Sequence, residues 1–286
     1  MHKHSQRTNL MLAMQPHEPL RKALARAFLQ HSTTDLCWLL GAQAETPGVA
    51  FFIAYQAALR CLDPSLPNTD WGAFCVSEKG VRSPFLITTE YQPVTGQLKG
   101  QKSFVMQAGQ GLNVYYILAK RADSNPVKLC LLKLKEDDFL NGQIQFLEAA
   151  AQPFMVDVPH RPMQFDLQIS PSCLFLEDAH EKANKPFRYW EDVHVFIALA
   201  AWLQSRLLKV DERLELAVQQ LQEQFARQPA YYTLAALDAF DAGLGLLSEL
   251  AAQLPAQWQR IWQRDAMLLQ LTAPLRSKIR TGLVKA

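Results

Sequence analysis

The sequence predicts an α+β protein in three successive parts: a short N-terminal helical segment over residues 1–70, a central antiparallel β-barrel or sandwich over 71–182, and a C-terminal helical bundle over 183–286. Three observations carry this division. Apolar residues recur at helical spacing up to Trp71. From Trp71 they recur at strand spacing. After Lys185-Pro186 the helical period returns. With 286 residues, 49% of them hydrophobic, one composite core is expected without a metal or disulfide staple.

The first segment reads as helix. Pro19 to Gln30 keeps a stripe of Leu20, Leu24, Ala27 and Phe28. Thr46-Pro47-Gly48 is a helix start, since proline suits the first turn. Val49 to Leu62 is apolar nearly all round, which predicts a buried helix. Pro64 and Pro67 end it.

In the middle segment, Ala73 to Val76, Phe85 to Tyr91, Gln101 to Met106, Asn113 to Ala119 and Val127 to Leu134 read as strands. Gln143 to Phe146 and Met163 to Ile169 alternate apolar and polar residues, as half-buried strands do. Gly109-Gln110-Gly111 is expected to be a hairpin turn. Beyond Pro186, helices are expected over Phe187–Leu208, Glu212–Phe225, Leu234–Leu254 and Ala256–Leu271, with Pro274 bending or ending the last. The first and third of these are apolar over more than one face, which points to a homodimer or homotetramer.

Composition excludes several classes. With 29 basic and 27 acidic residues there is no electrostatic footprint for nucleic acid. The five cysteines, Cys37, Cys61, Cys75, Cys130 and Cys173, form no C-x-x-C, so neither a disulfide framework nor a zinc site is expected. The start, Met1-His2-Lys3-His4-Ser5-Gln6-Arg7, lacks the apolar core of a signal peptide. No run approaches the roughly 18 apolar residues of a membrane span. A cytoplasmic location is expected by elimination.

Motifs for nucleotide binding or serine hydrolysis are absent. His160, His180 and His194 have no ligand spacing, and His194 reads as a core histidine. Glu136-Asp137-Asp138 reads as a solvated loop. Glu191-Asp192 brings two carboxylates into an apolar helix. Either they are a charge pair in a first turn, or one is a base beside a buried pocket, its pKa raised by burial and by its neighbour.

A family resemblance emerges in the strand segment. Phe74-Cys75-Val76-Ser77-Glu78-Lys79-Gly80-Val81-Arg82-Ser83 resembles the acyl-CoA dehydrogenase motif T-E-P-x-x-G-S-D with its preceding strand. Thr95 to Met106 resembles that family's G-x-x-L-N-G-x-K-x-W-I-T, and Tyr116 to Arg121 its next strand. Phe165 to Leu174 resembles the strand leaving the β domain, and Phe187 to Leu208 the first C-terminal helix. Ile261-Trp262-Gln263-Arg264-Asp265-Ala266 resembles R-x-x-R-D-A. The resemblance covers about 71–208 and 258–280, in the family's order.

The resemblance implies a flavoenzyme of fatty acid metabolism. A glutamate takes the α-proton of an acyl-CoA thioester while a hydride leaves the β-carbon for FAD. Carried over by position, the flavin contacts are Ser77, Phe104 in place of tryptophan, and Met106 in place of threonine. Ser83 keeps the substrate-side serine, but Pro84 follows it instead of aspartate. The family's R-x-x-F-G and Q-x-x-G-G-x-G segments, which hold the FAD pyrophosphate, have no match. The usual base position is Ala273, which cannot take a proton, and Glu191 matches the alternative base of some members, with Asp192 in place of their arginine. FAD binding is therefore expected to be weak or absent. Two functions follow as expectations: an acyl thioester dehydrogenase with Glu191 as base, or a non-catalytic relative used for binding or assembly.

Overall fold

The computed structural model describes residues 11–106, 111–148 and 152–285. Met1–Arg7 and the Gly109-Gln110 part of the expected turn lie outside the described residues.

Three helices come first: α1 (His17–Gln30), α2 (Thr33–Gly41) and α3 (Pro47–Leu62). Ser32 caps α2 by accepting the Asp35 N–H, and Thr46 caps α3 by accepting the Val49 N–H at 3.3 Å, with Pro47 at its first position. Leu20, Leu24 and Ala27 are buried, as their spacing requires, while Phe28 lies partly exposed under the Arg60 guanidinium. Helix α3 is buried on almost every side.

The sheet contains β1 (Gly72–Cys75), β2 (Glu90–Gln92), β3 (Gln97–Met106), β4 (Val114–Arg121), β5 (Leu129–Leu134), β6 (Phe139–Asn141), β7 (Ile144–Phe146), β8 (His160–Ile169) and β9 (Leu174–Leu176). Its path is β6-β8-β3-β2-β4-β5-β9, with β1 on β4 and β7 on β8. The expectation of an antiparallel sheet needs correction, because both β1 and β2 run parallel to β4. Phe85 to Tyr91 is not one strand either. Pro84 favours a turn of 3₁₀ helix over Pro84–Leu86, capped by the Ser83 hydroxyl, and only Glu90 onward joins the sheet. Glu136–Asp138 is another 3₁₀ turn, in which Asp138 accepts the Lys135 N–H.

Strand β4 explains why one core was expected and two are found. Val114, Tyr116 and Leu118 face the helices, while Tyr115, Ile117 and Ala119 face a second cluster built mainly from β1 to β5 and β8. A strand buried on both faces carries an unbroken apolar run rather than an alternating one.

A turn of π-helix over His180–Asn184 leads into α4 (Lys185–Gln204). Then come α5 (Glu212–Arg227), α6 (Leu234–Ala251), α7 (Ala256–Asp265), α8 (Met267–Leu271) and α9 (Ala273–Lys285). The expected helix Ala256–Leu271 breaks at Ala266, and Pro274 lies in the first turn of a new helix rather than closing the old one. Every residue of α4 from Asp192 to Gln204 is buried within the single chain. Its all-round apolarity is thus used by α2, α3, α5 and α6, which pack around it.

Candidate functional site

Strands β1 and β3, helices α3, α4 and α8, and the segment leading into β8 meet around a cavity of about 530 Å³. Its walls are mainly apolar, with Phe51, Phe74, Phe104, Phe154, Phe187 and Leu268 among them. Four residues singled out from the sequence line this one cavity: Ser77, Phe104, Met106 and Glu191.

The strands place the first three. The pairing of β3 with β8 shifts register between Lys102 and Val105, a bulge that contains Ser103 and Phe104. A bulge bends its strand and re-aims a side chain. Phe104 is 69% exposed, although it is a large aromatic residue in a ten-residue strand, while Met106 beyond it is buried. The Ser103 N–H donates to the Ser77 carbonyl at 2.8 Å, which holds the Ser77 segment against the bulge.

Beneath Ser77 lies a buried ion pair that sequence reasoning missed. Glu78 Oε1 is 2.9 Å from Lys102 Nζ, and the Glu78 carboxylate also accepts the N–H and hydroxyl groups of Thr88 and Thr89. Burial alone would push the Glu78 pKa up, but Lys102 and the threonine donors bring it down to about 2. Lys102 stands at the lysine of the G-x-K pattern; two opposite charges in matched strand motifs were the available signal.

Glu191 comes from the first turns of α4. Its side chain is 20% exposed, into an apolar cavity, and burial raises its pKa to about 7, with Asp192 adding to the rise and Arg188 opposing it. Arg188 Nη1 lies 3.7 Å from Glu191 Oε2, too long for a hydrogen bond. The two adjacent carboxylates are thereby told apart. Asp192 points away into the bundle, where it accepts the Tyr232 hydroxyl and lies 3.4 Å from Arg276. Asn184, from the π-helical turn, also lines the cavity; such turns recur at functional sites.

Other sequence candidates fall elsewhere. Ser83 caps the 3₁₀ turn and is not a lining residue. Ala273 is exposed at the start of α9, although its neighbours Leu271 and Thr272 do line the cavity. His194 is completely buried, bonded to the Trp190 carbonyl and Thr33 hydroxyl, and burial lowers its pKa to about 4. Asp265 of the R-D-A segment is buried, accepting the Met155 N–H and two Arg264 N–H groups, each at 2.7 Å. It therefore holds the cavity wall at Met155. Among the described residues, no three His, Cys, Asp or Glu side chains converge as a metal site, and the five cysteines are free. Among the described residues, no helix is long and apolar enough to cross a membrane.

No sequence-family profile and no curated protein matches the chain. Solved structures do. Butyryl-CoA dehydrogenase from Megasphaera elsdenii superposes with a TM-score of 0.68 at 12% identity, over 94% of this chain and 89% of that one. TdsC from Paenibacillus sp. A11-2, in a complex with FMN and indole, gives 0.65 at 13% identity over 92% and 89%. The FAD complex of PigA gives 0.55 at 17% identity over 88% and 80%. At such identities the shared property is the backbone architecture, and the chain has the acyl-CoA dehydrogenase fold.

Proposed function

We propose that this chain is a flavin-dependent dehydrogenase of an acyl thioester, with Glu191 as the base that removes the α-proton. The observation that carries the reading is the convergence of Ser77, Phe104, Met106 and Glu191 on one apolar cavity. Function follows sites rather than folds, and this one has the parts. An exposed aromatic on a bulged strand, a buried thioether and a serine hydroxyl beside it fit the ring half of a flavin. A flavin, when bound, supplies a hydride acceptor. Fold relatives named for acting on butyryl-CoA and for binding FAD or FMN support the same class.

The protein's own groups do the remaining work. A carboxylate with pKa near 7 is a well-matched base at neutral pH, since about half of it is ionised and it is strong enough to take a proton. The apolar walls keep water from the carbanion-like centre. Arg188, the cation lining the cavity, moderates Glu191 without bonding to it. FAD is expected to bind weakly, because Arg188 is the one positively charged side chain among the lining residues.

The test is a flavin titration of the purified protein, followed by thioester oxidation with the wild type and Glu191→Gln. Flavin binding with oxidation that Glu191→Gln abolishes supports the reading; saturable binding with no oxidation of any acyl thioester favours the non-catalytic alternative. That second reading has one observation on its side: the usual base position, Ala273, carries no carboxylate and is exposed. We also infer a homodimer or larger symmetric oligomer, supported by exposed Leu216 and Leu234 on α5 and α6. A light-scattering mass equal to one 32.4 kDa chain would overturn it.

A further inference from the structure

His160 opens β8 directly opposite Met106 of β3, and its ring lines the cavity. Its Nδ1 lies 2.9 Å from the Val158 carbonyl oxygen. A carbonyl oxygen only accepts, so Nδ1 carries the proton. The Gln152 Oε1 accepts the His160 backbone N–H at 2.7 Å, which leaves its Nε2 3.3 Å from Nδ1, a longer contact than the 2.9 Å to the Val158 carbonyl that fixes the proton. Burial disfavours the charged imidazolium, so the ring is neutral. In this tautomer Nε2 is a lone-pair acceptor, and among the described residues it has no hydrogen-bond partner. Phe51, Phe104, Met106 and Met155, which line the same cavity, offer no side-chain N–H or O–H.

An acceptor held on a mostly apolar wall selects what enters. A ligand that presents a donor there satisfies it, whereas one that presents carbon strands it without water. The flavin reading above, on which this inference rests, gives that donor a definite identity. An oxidised isoalloxazine ring has a single N–H, at N3. We infer that His160 is a specificity-determining residue of the cavity, with Nε2 accepting the N3–H of the bound flavin ring. It stands on the strand wall with Ser77, Phe104 and Met106, across from Glu191 on the helical wall, so it recognises the ring without competing for the proton that Glu191 would take.

The test uses two small probes that differ in one group, lumiflavin and 3-methyllumiflavin, titrated into the full chain while flavin fluorescence is followed. Wild type is expected to prefer lumiflavin by about tenfold, the scale of one hydrogen bond to an acceptor that the bound ring shuts off from water. His160→Phe is expected to bind the two probes equally. His160→Gln, which keeps an acceptor oxygen, retains the preference. Thermal melts of both variants report folding, and the wild-type comparison needs no variant. Equal binding of both probes by wild type, or an undiminished preference in a folded His160→Phe, overturns the role of His160 while the flavin reading stands. Failure of wild type to bind FAD, FMN and lumiflavin overturns the flavin reading, and this inference with it.

Discussion

Lys102 Nζ stands 2.9 Å from Glu78 Oε1, and each side chain is only 1% exposed. Removing one member of such a pair strands the other charge in a place that water does not reach. Lys102→Met is expected to cost about 3–5 kcal/mol, and the double change Glu78→Leu with Lys102→Met considerably less. Denaturant unfolding measures both. Glu78 also sets an acid limit. Its folded pKa of about 2 lies below the ordinary 4.5, so its contribution is present above about pH 4.5 and lost as pH falls toward 2. Unfolding as a function of pH should show that loss in wild type and not in the double variant.

Glu191 runs the other way. Its folded pKa of about 7 lies above the ordinary 4.5. The folded state holds the proton more tightly, so the contribution of Glu191 to stability is fully present below pH 4.5 and is lost as pH rises through 7. Glu191→Gln should therefore raise the melting temperature at pH 8 relative to wild type, by an amount equivalent to up to about 3 kcal/mol, and change it little at pH 4. Where thioester oxidation is measured, kcat/KM should rise with pH through about 7, as Glu191 of the free protein ionises. A variant that melts at the wild-type temperature at pH 8 would show that the carboxylate is better hydrated than its position implies.

Asp265 ties α7 to the wall at Met155. Asp265→Ala would leave the buried Met155 N–H without its acceptor and free Arg264 from its 2.7 Å contacts. The expected loss is about 2–4 kcal/mol, with faster hydrogen exchange at Met155. Unchanged exchange at that amide would show that the contact does not hold the segment.

Two glycines of α6 make a matched pair. A Cβ on Gly243 would lie 2.4 Å from Phe196 Cζ, whereas one on Gly245 would meet nothing within 4 Å. Gly245→Ala should stabilise the protein by about 0.5–1 kcal/mol through helix propensity alone. Gly243→Ala gains the same propensity but must displace the Phe196 ring, a cost of about 1–3 kcal/mol, so its net effect is destabilising. Calorimetry of the two variants separates the terms.

The periodic elements were the legible part of this chain. The Leu20, Leu24 and Ala27 stripe and the polar–apolar alternation of β8 follow from which side of an element meets the core. What stayed hidden depends on contacts distant in sequence. Nothing local in Val114 to Ala119 tells that one face meets helices and the other meets the sheet's own interior, so two cores read as one. The direction of β1 and β2 against β4 is likewise set by tertiary connection rather than by local pattern. In the site, Glu191, Phe104, Ser77 and Met106 were visible as aligned motif positions. His160 was not, because its Nε2 matters only once β8 lies beside β3.

The enclosure of α4 from Asp192 to Gln204 bears on how the chain is made. Its neighbours α2 and α3 leave the ribosome well over a hundred residues before α4 follows, so their inner faces wait through synthesis of the entire sheet. Helices kept open that long are natural clients for chaperones that hold apolar surface. Dissecting the protein at residue 183 would make the wait permanent. The N-terminal piece would expose the apolar surface that α4 covers, and the C-terminal piece would contain a helix with no one side suited to water.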